Sequence, residues 1–177
     1  MSTKIPPHSV HRCISLIDTV SFDMLAKFVD HHNDLIRSDN SPISVIISTE
    51  GGDMYAALAI YDVIQTSPVE IVTYGLDSDI CAGCLILSAG HKRYLYPNTF
   101  IMDHEGSFEL PEGRPGDLKS HYEHTLQLHE VFDKALSKST KKAVEDITSD
   151  FKNKTVFMTA KQAVDYGLAD GIVGQDE

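Results

Sequence analysis

The chain contains no tryptophan and only three cysteines, Cys13, Cys81 and Cys84, in 177 residues. Three thiols cannot build a disulfide framework, so the fold has to be held by a core. Basic residues are scarce: 15 Lys and Arg face 26 Asp and Glu, a formal charge of −11. Such a surface repels phosphate backbones, which argues against general nucleic-acid binding. The densest basic group, Lys138, Lys141 and Lys142, is followed closely by acids. No apolar run approaches the roughly 18 residues of a membrane span. Met1 to Pro7 lacks the apolar centre of a signal peptide, and the expected location is the cytoplasm. No low-complexity tract, linker or internal repeat breaks the chain. What is present is ordinary: 42% hydrophobic and 23% charged residues, the balance of one folded domain over residues 1–177.

Residues 1–11 are polar with two prolines and read as a flexible arm. Arg12 to Ile17 and the β-branched Ile43 to Ser48 read as strands. Between them Ser21 can cap a helix whose apolar positions include Leu25, Phe28, Val29, Leu35 and Ile36. A second helix carries Met54, Ala57, Leu58, Tyr61 and Ile64 on one face. Val69 to Tyr74 is a buried strand, and Ala82 to Ala89 a buried helix closed by Gly90. Tyr94 to Tyr96 and Thr99 to Met102 are short strands around Pro97-Asn98. Phe108 to Gly116 reads as a loop or extended flap. A long helix then begins near Asp117, striped by Leu118, Tyr122, Leu126, Phe132 and Leu136. Lys141 to Ile147 and Thr159 to Tyr166 follow as helices, and Leu168 to Val173 as a last strand. Strands alternating with helices predict an α/β fold with right-handed crossovers and a mostly parallel sheet.

Three features carry chemistry. The first is the turn Gly51-Gly52 between a buried strand and a helix. Backbone amides there can approach an oxyanion without side-chain obstruction, although a plain turn would look the same. The second is Cys81 at the start of an apolar helix, where the helix dipole favours thiolate. Cys84 reads as a structural thiol. The pair also satisfies a Cys-x-x-Cys redox spacing, but it lies far from the chain start and no tryptophan precedes it. The third is His104 after a strand. A base at a strand end near a helix-start thiol is a Cys-His nucleophilic arrangement. Against this stands one ordinary histidine among nine. His121, His124 and His129 share one helix and His31-His32 another. No Cys or carboxylate spacing completes a metal site, so neither metal nor cofactor is expected.

In order and spacing these pieces resemble the proteolytic subunit of the Clp protease, within the wider Clp–crotonase fold. The likeness runs from about Arg12 to Val173. It is carried by Ile47-Ser48-Thr49-Glu50-Gly51-Gly52, Ala59-Ile60-Tyr61-Asp62, Cys81-Ala82-Gly83-Cys84-Leu85-Ile86-Leu87-Ser88-Ala89-Gly90, Lys92-Arg93, Pro97-Asn98, Met102-Asp103-His104 and Thr159-Ala160-Lys161-Gln162-Ala163-Val164-Asp165-Tyr166-Gly167-Leu168-Ala169-Asp170. The resemblance implies a β-α-β superhelix with a protruding handle at residues 105–139, where two heptameric rings pair into a tetradecamer. It puts the nucleophile on Cys81, where the family has serine, and the base on His104. The oxyanion hole would be the amides of Gly52 and Ala82. Substrates would be unfolded peptides, added as strands near the turn and the handle.

Three departures qualify the likeness. Cysteine replaces serine. Asp77-Ser78-Asp79-Ile80 precedes it with bulk and negative charge that should raise the thiol pKa. The family's third catalytic residue, an Asp, has no match, since Thr155 stands in its place. Asn153 is the candidate third member of a Cys-His-Asn set. Ser78 is an alternative nucleophile in a shifted register. The expected function is thus a Clp-like peptidase subunit of weakened activity in a ring. The alternative is an inactive structural ring subunit that mixes with an active homologue. An acyl-CoA enzyme of the crotonase branch is a third reading, against which stands the nucleophile–His spacing. An AAA+ unfoldase partner is implied by the likeness. Residues 1–11 are shorter than the family's axial segment, which bears on that docking.

Overall fold

A computed structural model of the chain describes residues 4–105 and 112–176. Met1–Thr3, residues 106–111 and Glu177 lie outside the described residues, and with them the first four residues of the expected flap. The elements follow in the order β1 (Cys13–Ile17), α1 (Phe22–Ser38), β2 (Ile43–Thr49), α2 (Met54–Gln65), β3 (Ile71–Ile80), α3 (Ala82–Ser88), β4 (Lys92–Leu95), β5 (Phe100–His104), α4 (Pro115–Thr140), α5 (Val144–Phe151), β6 (Thr155–Thr159), α6 (Ala160–Tyr166) and β7 (Gly171–Ile172). The fold is the expected mixed α/β architecture. β1, β2, β3, β4 and β7 pair side by side, all parallel. Ser21 caps α1 by accepting from the Met24 amide, and Thr159 with Gln162 forms a capping box on α6.

β3 is the strand that builds the site. Val72 to Gly75 pair with β4, and Ser78 to Ile80 pair with β5 further along. The two partners diverge at Gly75, whose carbonyl accepts from the Tyr96 amide and the Thr99 hydroxyl. A Cβ at Gly75 would stand 2.2 Å from an Asp79 carboxylate oxygen, so only glycine lets that side chain tuck in. The sequence pattern ends this strand at Tyr74. The Asp-Ser-Asp stretch has poor intrinsic strand preference, and pairing with β5 carries the strand on to Ile80.

β6 is absent from the sequence reading. It runs antiparallel to β5, with Met102 opposite Phe157 and His104 opposite Thr155. The core lies between the sheet and α1, α2 and α3, and includes Phe28, Ile47, Ile60, Leu85 and Leu87. Every residue of α3 is buried. The C-terminal half of α4 adds Phe132 and Leu136 to that core. Tyr122 and Leu126 of the same stripe remain exposed. Residues 4–8 do not hang free. Ile5 is buried against Val72, Tyr74 and Tyr94, its amide donates to Gln175 O, and His8 Nδ1 meets the Tyr96 hydroxyl at 2.7 Å.

Candidate active site

Cys81 sits where β3 turns into α3. Its amide still belongs to the sheet, donating to Met102 O at 2.8 Å. Its own φ is +51°, and Ala82 opens the helix. A non-glycine residue in this region of backbone space is strained, and such strain concentrates at functional sites. The turn aims the side chain out of the sheet instead of along it. α3 can lie close to β2 because Gly83 has no side chain: a Cβ there would meet Thr49 Cγ2 at 2.6 Å.

The thiol faces a cleft of about 340 Å³. Its walls are Met54 of α2, the end of β5 with Asp103, His104 and Glu105, the α4 face from Tyr122 to Asp133, and Thr148, Phe151 and Lys152. Cys81 and His104 therefore open on one cleft. Among the described residues no hydrogen bond joins the thiol to the His104 ring. The Nδ1 of that ring lies 2.7 Å from Glu105 O, and the His104 amide donates to Asp103 Oδ1 at 2.9 Å. A carbonyl can only accept, so Nδ1 carries the proton and Nε2 is left as the basic nitrogen.

The Gly51-Gly52 turn follows the end of β2, the parallel neighbour of β3. Gly51 N donates to the Thr49 hydroxyl, and the carbonyl of Gly51 accepts from Val20 N. Gly52 has φ +146°, and a Cβ would stand 2.3 Å from Val20 O, so the turn requires glycine. The Gly52 amide has no acceptor among the described residues and is exposed. The Ala82 backbone lowers the Cys81 thiol, a smaller effect than burial.

Protonation differs from the expectation drawn from the helix dipole. The Cys81 thiol is pushed up to about 11, first by burial and then by the charge of Asp103. The acids expected to do this were Asp77 and Asp79. Asp79 is buried with both carboxylate oxygens unpartnered among the described residues, and that burial, with the charge of Asp77, pushes its carboxyl well above the usual carboxylate range. Asp103 is the residue that sequence reasoning missed: buried, and held up to about 7 by that burial. Its signal was faint, one acid at an alternating position of a short strand.

Asn153 adopts φ +57° and reaches the site through its main chain. Its amide donates to Glu105 Oε2 at 2.9 Å, while its side chain is not among the partners of His104. Thr155 is the direct cross-strand neighbour of His104. Cys84 is buried, its thiol donating to Asp79 O at 3.1 Å, and both it and Cys81 are free thiols. Among the described residues no three His, Cys, Asp or Glu side chains converge to hold a metal ion. The α4 histidines diverge: His124 stacks on Tyr55, whereas His129 faces the cleft.

This frame, a mostly parallel sheet with a strand-to-helix thiol and a strand-end imidazole on one cleft, belongs to a definite class. The family model for Clp protease matches residues 9–176, and the chain belongs to that family. It is 34% identical over 133 residues to the ATP-dependent Clp protease proteolytic subunit 2 of Corynebacterium efficiens. The matched stretch covers 74% of this chain and 66% of that protein, slightly less than two thirds of its length.

Proposed function

We propose that the chain is a Clp-like peptidase subunit that cleaves unfolded peptides with Cys81 as nucleophile and His104 as base. The observation that carries this reading is that the strained Cys81 and His104 open on one cleft. In acylation Sγ bonds to the scissile carbonyl carbon while its proton passes to His104 Nε2. The carbonyl π electrons move to oxygen, which the amides of Gly52 and Ala82 stabilise. The carbonyl re-forms, the C–N bond breaks, and the imidazolium gives its proton to the leaving amine. A water then hydrolyses the thioester with the same base, releasing the acid and restoring the thiol.

A thiol raised to about 11 is neutral near pH 7. The base therefore acts during attack, as it does for serine, and no preformed thiolate–imidazolium pair is available. Removal of Cys81 as Cys81→Ala should abolish hydrolysis of short fluorogenic peptides and of an unfolded protein such as casein. Iodoacetamide on the wild type should do the same, with the label on Cys81. No difference between wild type and Cys81→Ala would end the enzyme reading.

The second reading is an inactive ring subunit. It is favoured by the raised thiol and by Thr155 where an acid would serve the base. The seven-membered rings, their stacking through α4, an AAA+ unfoldase and an active homologous subunit are further parts of the proposal. The family membership supports them, and co-expression with an active homologue followed by mass measurement tests the mixed ring.

A further inference from the structure

Glu105 supplies the acceptor for His104 Nδ1, and its carbonyl is unusually well anchored for a residue after a strand end. The Glu105 amide donates to Phe151 O at 3.3 Å. Its carboxylate Oε2 accepts from the Asn153 amide at 2.9 Å. Asn153 is in the left-handed region that ends the α5 turn, with φ +57°. Glu105 is thus tied at both main chain and side chain to residues 151–153. Its remaining main-chain group, the carbonyl, points at the imidazole with Nδ1 2.7 Å away.

We infer that Glu105 is a positioning residue: its carboxylate, hooked on the Asn153 amide, aims its own main-chain carbonyl at His104 Nδ1 and so fixes the histidine as the Nδ1–H tautomer. A side chain bonding to the next residue's carbonyl is a local contact that a loose chain would make only part of the time. The two anchors to residues 151–153 remove that freedom. The carbonyl then fills, without a formal charge, the place a carboxylate occupies in a triad. Orientation and tautomer are supplied, but stabilisation of the imidazolium by a full negative charge is not. Asn153 enters the site by the same route, as the donor that holds Glu105.

The catalytic consequence rests on the peptidase reading, but the tautomer does not, and the test separates them. Nitrogen-15 NMR of histidine-labelled protein at pH 8.5 distinguishes Nδ1–H from Nε2–H rings, and His104→Gln identifies the signal. The wild-type His104 should show the Nδ1–H pattern. Glu105→Ala should move it toward the Nε2–H form that free histidine favours. Glu105→Gln can still accept from Asn153 and should recover the Nδ1–H pattern. Peptide kcat/KM should fall about tenfold in Glu105→Ala, as for a modest misplacement of a catalytic group, and return to within about threefold in Glu105→Gln. A wild-type His104 in the Nε2–H form overturns the inference, and that measurement requires no variant of Glu105 to fold. So does a folded Glu105→Ala that keeps the Nδ1–H pattern. If the tautomers behave as stated while no peptide is cleaved by any variant, the positioning role stands and the peptidase reading falls.

Discussion

Asp103 lies one residue before His104, and its charge raises the Cys81 thiol, whereas the acids ahead of Cys81 are not among the causes of that shift. Burial raises the folded pKa of Asp103 from 3.8 to about 7. A raised acid favours folding fully below its unfolded value, and that contribution is lost as pH rises through the folded value. The window therefore runs from about pH 4 to pH 8, and the shift corresponds to at most about 4 kcal/mol. Asp103→Asn keeps an oxygen that can accept from the His104 amide and removes the ionisation. Thermal melts should then differ less between pH 5.5 and pH 8.5 than in the wild type. Alkylation of Cys81 at pH 8.5 should also speed up, because the charge that opposes thiolate is gone. An unchanged pH dependence of the melt would count against this account of Asp103. Cys81, His104 and Gly52 stand out in the sequence as candidates, because a helix-start thiol, a strand-end imidazole and a paired-glycine turn are distinctive residue types. Asp103 and Glu105 do not stand out. The first acts by being buried and the second by its carbonyl, and neither burial nor a carbonyl's direction is written in a residue's identity.

The β5–β6 ladder shows the same limit one level up. Helices with a clear apolar face, such as α1 and α2, were legible nearly to their ends. β6 was not, because Thr155, Phe157 and Thr159 are exposed and its partner among the described residues is a strand some fifty residues earlier in the chain. Non-local pairing stabilises it, and no local pattern records that. The extension of β3 past Tyr74 escaped for the same reason. Yet β6 fixes what can stand beside the base. His104 and Thr155 are direct antiparallel partners, so their side chains share a face with Cβ atoms about 5 Å apart. An Asp at 155 would present a carboxylate beside the His104 ring. Cys81→Ser alone should not raise peptide turnover, since a hydroxyl needs stronger base assistance than a thiol. Cys81→Ser with Thr155→Asp should exceed either single change, because a carboxylate adds the charge that the Glu105 carbonyl lacks. Initial rates on one fluorogenic peptide compare all four proteins. Robust turnover by Cys81→Ser alone would mean that the neutral acceptor already suffices.

At the scale of the whole molecule the question is what covers α4. Its apolar stripe divides: Phe132 and Leu136 go into the chain's own core, while Tyr122 and Leu126 stay 48% and 47% exposed. An exposed apolar helix face of this kind marks an interaction surface more often than a free one. Tyr122 and Leu126 also line the cleft in front of Cys81. A second subunit packed on α4 would bury the stripe and brace one wall of the site together, so assembly and catalysis should be linked. Leu126→Glu places a charge in both surfaces and should split a large assembly into smaller rings while lowering peptide turnover. Leu118→Glu separates the two effects, because Leu118 belongs to the same stripe and is half-buried but does not line the cleft. If α4 braces the site through assembly, Leu118→Glu should lose turnover in proportion to the loss of large particles in sedimentation velocity, and recover it as protein concentration rises. A Leu118→Glu protein that dissociates yet keeps full turnover would show that the cleft is complete within one chain. A wild-type protein that sediments as a monomer at micromolar concentration would remove the assembly argument altogether.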